Sequence, residues 1–162
     1  MKHLVGVGEV KVSAASGDSI VTHALGSCLG ITLHDAVTGI GGLLHAMLPT
    51  ATLNPRRAVE KPAQFIDTGL EKLVSDCCRI GASRSRLLAK VAGGAESSIG
   101  GRKTFDHFQI GRRNFEALEQ LLRDRGIPLG GHDIGGTDSR TMLLEISSGA
   151  VILTINGASK HL

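Results

Sequence analysis

The stretch from Leu29 to Leu48 constrains the fold more than any other part of the chain. Leu29 to Leu33 alternates apolar with small or polar residues, Asp35-Ala36-Val37-Thr38-Gly39 has turn chemistry, and Ile40 to Leu48 returns as a second apolar run. Alternation at period two on either side of such a turn predicts an antiparallel hairpin. A second hairpin is expected near the end of the chain, where Thr141 to Ile146 and Ala150 to Ile155 flank Ser147-Ser148-Gly149. Antiparallel neighbours need only a tight turn, whereas parallel neighbours need a long crossover. Hairpins at both ends therefore argue against a doubly wound parallel sheet.

Other segments complete the reading. Leu4 to Val12 and Ser19 to Ala24 read as strands joined through Ala15-Ser16-Gly17-Asp18, and Leu87 to Ala92 as a strand running into Gly93-Gly94. Thr50 to Pro62 reads as a polar loop punctuated by prolines. From Ala63 the period becomes helical: Ile66, Leu70, Leu73, Val74 and Cys77 fall on one face, and Gly81 supplies the stop. A second helix is expected from Gly111 or Arg112 to Arg125, with Phe115, Leu118, Leu121 and Leu122 inward and Gly126 as stop. Residues 97 to 109 read as a polar loop, Ile127 to Leu129 as the start of a strand, and the tail from Asn156 as frayed. These elements make one α/β domain over residues 1–162, with antiparallel hairpins at both ends and two amphipathic helices.

Composition narrows the function classes. The 162 residues, 41% hydrophobic and 20% charged, suit an ordinary globular domain with a real core. No apolar run approaches the roughly 20 residues of a spanning helix. Met1 to Glu9 lacks the apolar core of a signal peptide, so a cytosolic protein without membrane insertion is expected. Cys28 and the vicinal Cys77 and Cys78 make a poor disulfide framework. The net charge of +3 is mild, and with no Tyr or Trp and only four Phe, the stacking surfaces of a nucleic-acid binder are scarce, so no nucleic-acid partner is expected. The paired glycines sit in no phosphate-loop context.

The chemistry is concentrated in the first hairpin. Cys28 ends the glycine turn Leu25-Gly26-Ser27-Cys28, and His45 stands in the returning apolar strand seventeen residues later. Folding the hairpin about Ala36 to Thr38 brings His45 opposite residues near 28 to 30. Thiol and imidazole are the smallest kit for nucleophilic acyl chemistry, in which the thiolate attacks and the imidazole takes and returns a proton. A glycine just before Ser27-Cys28 leaves backbone amides uncovered, so Cys28, with Gly26 or Ser27, is a candidate oxyanion donor. A neighbouring imidazolium and the turn amides would favour thiolate. Ser27 is a competing nucleophile. His23, His34, His107 and His132 are competing bases. His34 lies far along the hairpin, and His107 and His132 fall in polar loops. A metal site built from Cys28, His45, His34 and Asp35 lacks the usual ligand spacings, so no metal or cofactor is expected.

Several short motifs in order resemble a known family. They are Gly6-Val7-Gly8-Glu9, Thr22 with Leu25-Gly26-Ser27-Cys28, Gly41-Gly42 with His45-Ala46-Met47-Leu48-Pro49, Phe65-Ile66-Asp67-Thr68, Lys90-Val91-Ala92-Gly93-Gly94-Ala95, Ile110-Gly111-Arg112-Arg113-Asn114 and Asp133-Ile134-Gly135-Gly136. Their order and spacing are similar to those of the bacterial chemoreceptor glutamine deamidase family, CheD. The resemblance covers nearly the whole chain. It implies hydrolysis of glutamine side-chain amides on methyl-accepting chemotaxis receptors, giving glutamate and ammonia. It implies a Cys-His-Thr site at Cys28, His45 and Thr22, with Thr22 orienting the imidazole through its hydroxyl or its backbone carbonyl. It also implies a mixed β-sandwich with flanking helices, related to the catalytic domains of deamidating toxins. In some members it implies a complex with the phosphatase CheC, which leaves a non-enzymatic docking module as the other reading.

Overall fold

The computed structural model describes residues 1–96 and 109–162, with the backbone of two short strands between them. In chain order come β1 (Lys2–Leu4), β2 (Val10–Ser13), β3 (Ser19–Leu25), β4 (Leu29–Asp35), β5 (Ile40–Ala46), α1 (Pro55–Glu60), α2 (Ile66–Arg79) and β6 (Leu87–Gly93). There follow β7 (Ser98–Ile99), β8 (Arg102–Lys103), α3 (Ile110–Arg125), β9 (Leu129–Ile134), β10 (Arg140–Glu145), β11 (Val151–Ile155) and β12 (Ala158–His161). Two five-stranded sheets result, in the orders β1-β3-β10-β11-β12 and β2-β5-β4-β6-β9, and β7 and β8 pair as a separate ribbon. Both large sheets are mixed: β1 runs parallel to β3 and β9 parallel to β6, and the other pairs are antiparallel.

The layers follow from side-chain alternation. On β4, Leu29, Ile31 and Leu33 join one apolar cluster with Ile66, Leu70 and Leu73 of α2 and Leu118 and Leu122 of α3. On the opposite face of the same sheet, Leu43 and Ala92 join Ile20, Met142, Leu144 and Leu153 of the other sheet. The β2-β5-β4-β6-β9 sheet is thus covered by helices on one side and by a second sheet on the other. This is why every residue of β4 and β5 is buried, and why their sequences are nearly continuous in apolar and small residues. A mixed β-sandwich flanked by amphipathic helices is the architecture expected from the sequence. The inward positions named for α2 are all buried. Gly126 closes α3 in the left-handed conformation, with its N–H on Arg123 O.

Several local expectations are corrected. Leu4 to Val12 is two strands in different sheets, separated by a turn whose Gly8 has φ +74°. The loop from Thr50 to Pro62 contains α1, capped by the Asn54 side chain on Arg57 N–H and opened by Pro55. The tail expected to fray forms β12 instead. Asn156 and Gly157 both take positive φ, +50° and +79°, the mirror-image turn that an Asn-Gly pair favours between antiparallel strands. The loop expected over residues 97 to 109 lies largely outside the described residues.

Candidate active site

The turn that carries Cys28 is built by a bulge and fixed by its carbonyls. On β3, Thr22 pairs with Met142 and Leu25 with Arg140, so His23 and Ala24 together oppose Thr141 alone. Ala24 takes φ +57°. The extra residue resets the alternation, burying both Thr22 and Leu25 while His23 and Ala24 face solvent. The turn Gly26-Ser27-Cys28 then carries the chain to β4 in the other sheet. All three of its carbonyls are engaged: Ala95 N–H donates to Gly26 O at 2.8 Å, Asn114 Nδ2 to Ser27 O at 3.1 Å and Gly94 N–H to Cys28 O at 3.0 Å. Gly93, at φ +119°, lies so close beneath Cys28 that a Cβ there would sit 2.2 Å from Cys28 O. Among the described residues the N–H groups of Ser27 and Cys28 have no carbonyl partner, whereas that of Gly26 donates to Ala24 O at 3.0 Å. Gly26 therefore shapes the turn but is not a free oxyanion donor.

His45 occupies the position that the hairpin register gives it. It pairs directly with Gly30, two residues beyond Cys28, and the ladder ends at Leu29 and Ala46. Its side chain faces the second sheet, 1% exposed, where Thr22 Oγ1 lies 2.7 Å from His45 Nδ1 and 2.8 Å from Val5 O. A carbonyl oxygen can only accept, so the Thr22 hydroxyl donates to Val5 O and accepts the Nδ1–H of His45. That places the imidazole lone pair on Nε2, a buried atom with no hydrogen-bond partner among the described residues. Of the two Thr22 groups considered in the sequence, it is the hydroxyl that meets the imidazole. Burial pushes the half-buried Cys28 thiol up, against an opposing pull from its own backbone amide. Burial also pushes His45 down to about 4. Burial of both groups thus favours neutral thiol and neutral imidazole over the thiolate and imidazolium expected from sequence.

The competing residues fall elsewhere. His23 is exposed and lies beside Thr141 Oγ1. His34 donates through Nε2 to Ile146 O at 2.8 Å, at the far end of the hairpin. Asp35 is held there by Arg86 and the N–H of Ser83, which keep its carboxyl well below the usual carboxylate range. His132, expected in a loop, stands in β9 with its ring 5.6 Å from that of Phe115. His107 lies outside the described residues. Among the described residues no group of three or more His, Cys, Asp or Glu side chains converges as a metal site would. Sequence reasoning gave no role to Asn114. It is fully buried in α3, donating to Ser27 O and to Met47 O at 2.8 Å. A lone polar residue on the Gly111-Leu118-Leu122 stripe was the available signal.

An imidazole of fixed tautomer in a buried hairpin, a thiol at the open end of the neighbouring strand and a turn with spare amide donors are equipment for thiol-dependent acyl transfer. The family model described as CheD chemotactic sensory transduction matches residues 47–155. A protein of Solibacter usitatus described as a "probable chemoreceptor glutamine deamidase CheD" is 46% identical over 159 residues, covering 98% of this chain and 92% of its own. Proteins of the same description from Thermococcus kodakarensis and Pyrococcus horikoshii are 41% and 43% identical, covering 93% and 91% of this chain and 91% and 88% of their own. The chain belongs to the CheD family. The family-model match begins two residues after His45, so that match does not rest on Thr22, Cys28 or His45.

Proposed function

We propose that this protein hydrolyses the side-chain amides of glutamines on methyl-accepting chemotaxis receptors, with Cys28 as nucleophile, His45 as general base and acid, and Thr22 as the group that orients the imidazole. The observation that carries this reading is the Thr22–His45 hydrogen bond. It holds the neutral imidazole in the Nδ1–H tautomer, and burial keeps the ring neutral near pH 7, so the Nε2 lone pair is the one that accepts the thiol proton. The names of relatives aligned over nearly the full chain supply the substrate class.

His45 Nε2 takes the Cys28 proton as Sγ attacks the glutamine Cδ. The carbonyl π electrons move onto oxygen, where the N–H groups of Ser27 and Cys28 receive the oxyanion. The tetrahedral intermediate collapses, Nε2–H protonates the departing –NH2 nitrogen as the C–N bond breaks, and ammonia leaves. A thioester remains. Water then attacks it as Nε2 takes the water proton, and return of that proton to sulfur releases glutamate. No step calls for a metal or cofactor. Starting from two neutral groups, proton transfer accompanies attack, so the imidazole is a true base here and not only a counter-ion.

Residues 1–162 act as one domain in this reading, on the cytoplasmic side where receptor signalling domains lie. Binding to a CheC-type phosphatase would be an additional property. To test the function, the protein is incubated with a glutamine-bearing receptor cytoplasmic fragment, and mass spectrometry should show a gain of about 1 Da per modified site, the mass of an amide-to-acid conversion. Cys28→Ala should abolish the gain with thermal unfolding nearly unchanged. Undiminished conversion by that variant would remove Cys28 from the mechanism. No conversion by the unmodified protein, with binding to a CheC-type phosphatase intact, would favour the docking role.

A further inference from the structure

We infer that Asn114 is a positioning residue for the reaction: its carboxamide ties the nucleophile turn to the end of the histidine strand, where the hairpin ladder has stopped. The inference rests on the proposed roles of Cys28 and His45. The last paired residues of β4 and β5 are Leu29 and Ala46, next to Cys28 and His45 respectively. Beyond them the strands separate. Cys28 O turns to Gly94 N–H, and Met47 N–H turns to Gln64 O at 2.9 Å. The Ser27 and Met47 carbonyls are left on opposite sides of the opening, and among the described residues neither receives a backbone N–H. Asn114 supplies one N–H to each, at 3.1 and 2.8 Å, from a helix distant in sequence from both strands.

The orientation of the amide follows from its partners. Both neighbours are carbonyl oxygens and can only accept, so the NH2 group must face them. Asn114 Oδ1 is buried with no partner among the described residues, so the donors carry the polar contacts this side chain makes there. An unpaired buried acceptor is costly, and a residue selected for packing alone would be apolar like Leu118, one turn further along the same face. The helix is also held close enough for the reach. A Cβ at Gly111 would lie 2.4 Å from Gly94 O, so the first turn of α3 rests directly on the glycine pair that supports Cys28. Asn114 thereby fixes the spacing between the turn that carries the thiol and the strand that carries the imidazole. It touches neither reacting atom, and its effect belongs in kcat. Misplacement of reacting groups by about 1 Å is enough to cost roughly 100-fold.

The test compares Asn114→Ala and the near-isosteric Asn114→Asp with Leu118→Ala, which opens a cavity in the same helix without touching the bridge. On a receptor fragment, both Asn114 variants should lose at least 30-fold in kcat with KM within about threefold. Leu118→Ala, although less stable, should keep kcat within threefold. Equal losses in Leu118→Ala and Asn114→Ala would reduce the effect to packing, and kcat within threefold in either Asn114 variant would also overturn the inference. Cys28→Ala is measured alongside. If it stays active, the site reading itself fails; if it is dead while the Asn114 variants work, only the bridge fails. Hydrogen exchange of the Asn114 side-chain NH2 in the unmodified protein needs no variant to fold. Both protons should exchange at least 100-fold more slowly than those of exposed asparagines, and fast exchange would show that the bridge is not formed.

Discussion

At the scale of single residues the reading turns on one hydroxyl. Thr22 Oγ1 serves Val5 O and His45 Nδ1 together, and its replacement separates orientation from packing. Thr22→Val keeps shape but leaves two buried groups unpaired. We expect a stability loss of about 1–3 kcal/mol and a fall in kcat of about 100-fold, typical of a disturbed general base. Thr22→Ser should recover most of both, as urea unfolding and initial rates would show. His45 makes a separate prediction. Its folded-state value near 4 lies below the ordinary 6.5, so the unfolded chain takes up the proton first. That contribution is whole above about pH 6.5 and fades as pH falls toward 4, by about 3 kcal/mol in total. The carboxylates of Asp18 and Asp35, also held low, act further down the scale. Urea midpoints at pH 7 and pH 5 should differ in the unmodified protein and converge in His45→Gln. Cys28 and His45 were legible in the sequence because a local hairpin register relates them. Asn114 was not, because its partners lie far away in the chain and only the tertiary fold reveals them.

Among elements, the β4–β5 hairpin could be read almost residue by residue, since its turn chemistry and alternation agree and Gly30 pairs with His45 as the spacing predicts. Elements signalled by short caps were missed. Asn54-Pro55 starts α1, and Asn156-Gly157 starts the last hairpin, yet both resemble loop composition. The bulge at His23 and Ala24 is equally hidden, because only pairing with β10 shows the extra residue. The glycine that ends β6 carries a stronger demand. Gly93→Ala would drive a Cβ into Cys28 O at a backbone conformation that L residues avoid. We expect a loss of about 3 kcal/mol or more, combining a clash with left-handed strain. Gly17→Ala, with nothing within 4 Å of its Cβ, should change stability by no more than about 0.5 kcal/mol. Thermal unfolding of the two variants checks the contrast. If Gly93→Ala folds at all, its Cys28 turn should be displaced and its activity lost.

For the whole molecule, the proposed receptor substrate is much larger than a glutamine side chain. Receptor signalling domains are long helices, so remote contacts should supply much of the binding that lowers the barrier. Activity on a folded receptor fragment should greatly exceed that on free glutamine. With a net charge of +3, the protein should also lose rate on the fragment as salt rises, through slower encounter. Equal efficiency on both substrates, independent of ionic strength, would argue against extended docking. The sandwich that buries the hairpin on two sides has one more effect. Burial raises the Cys28 thiol above its ordinary value and so lowers its thiolate fraction at neutral pH, and peroxides react with thiolate far faster than with thiol. The enzyme at rest should therefore withstand oxidative stress that would convert an activated cysteine to its sulfenic acid. Inactivation by hydrogen peroxide should be slow at pH 7 and climb steadily past pH 9. A plateau below pH 8 would mean that the cysteine is exposed to such damage throughout the life of the cell.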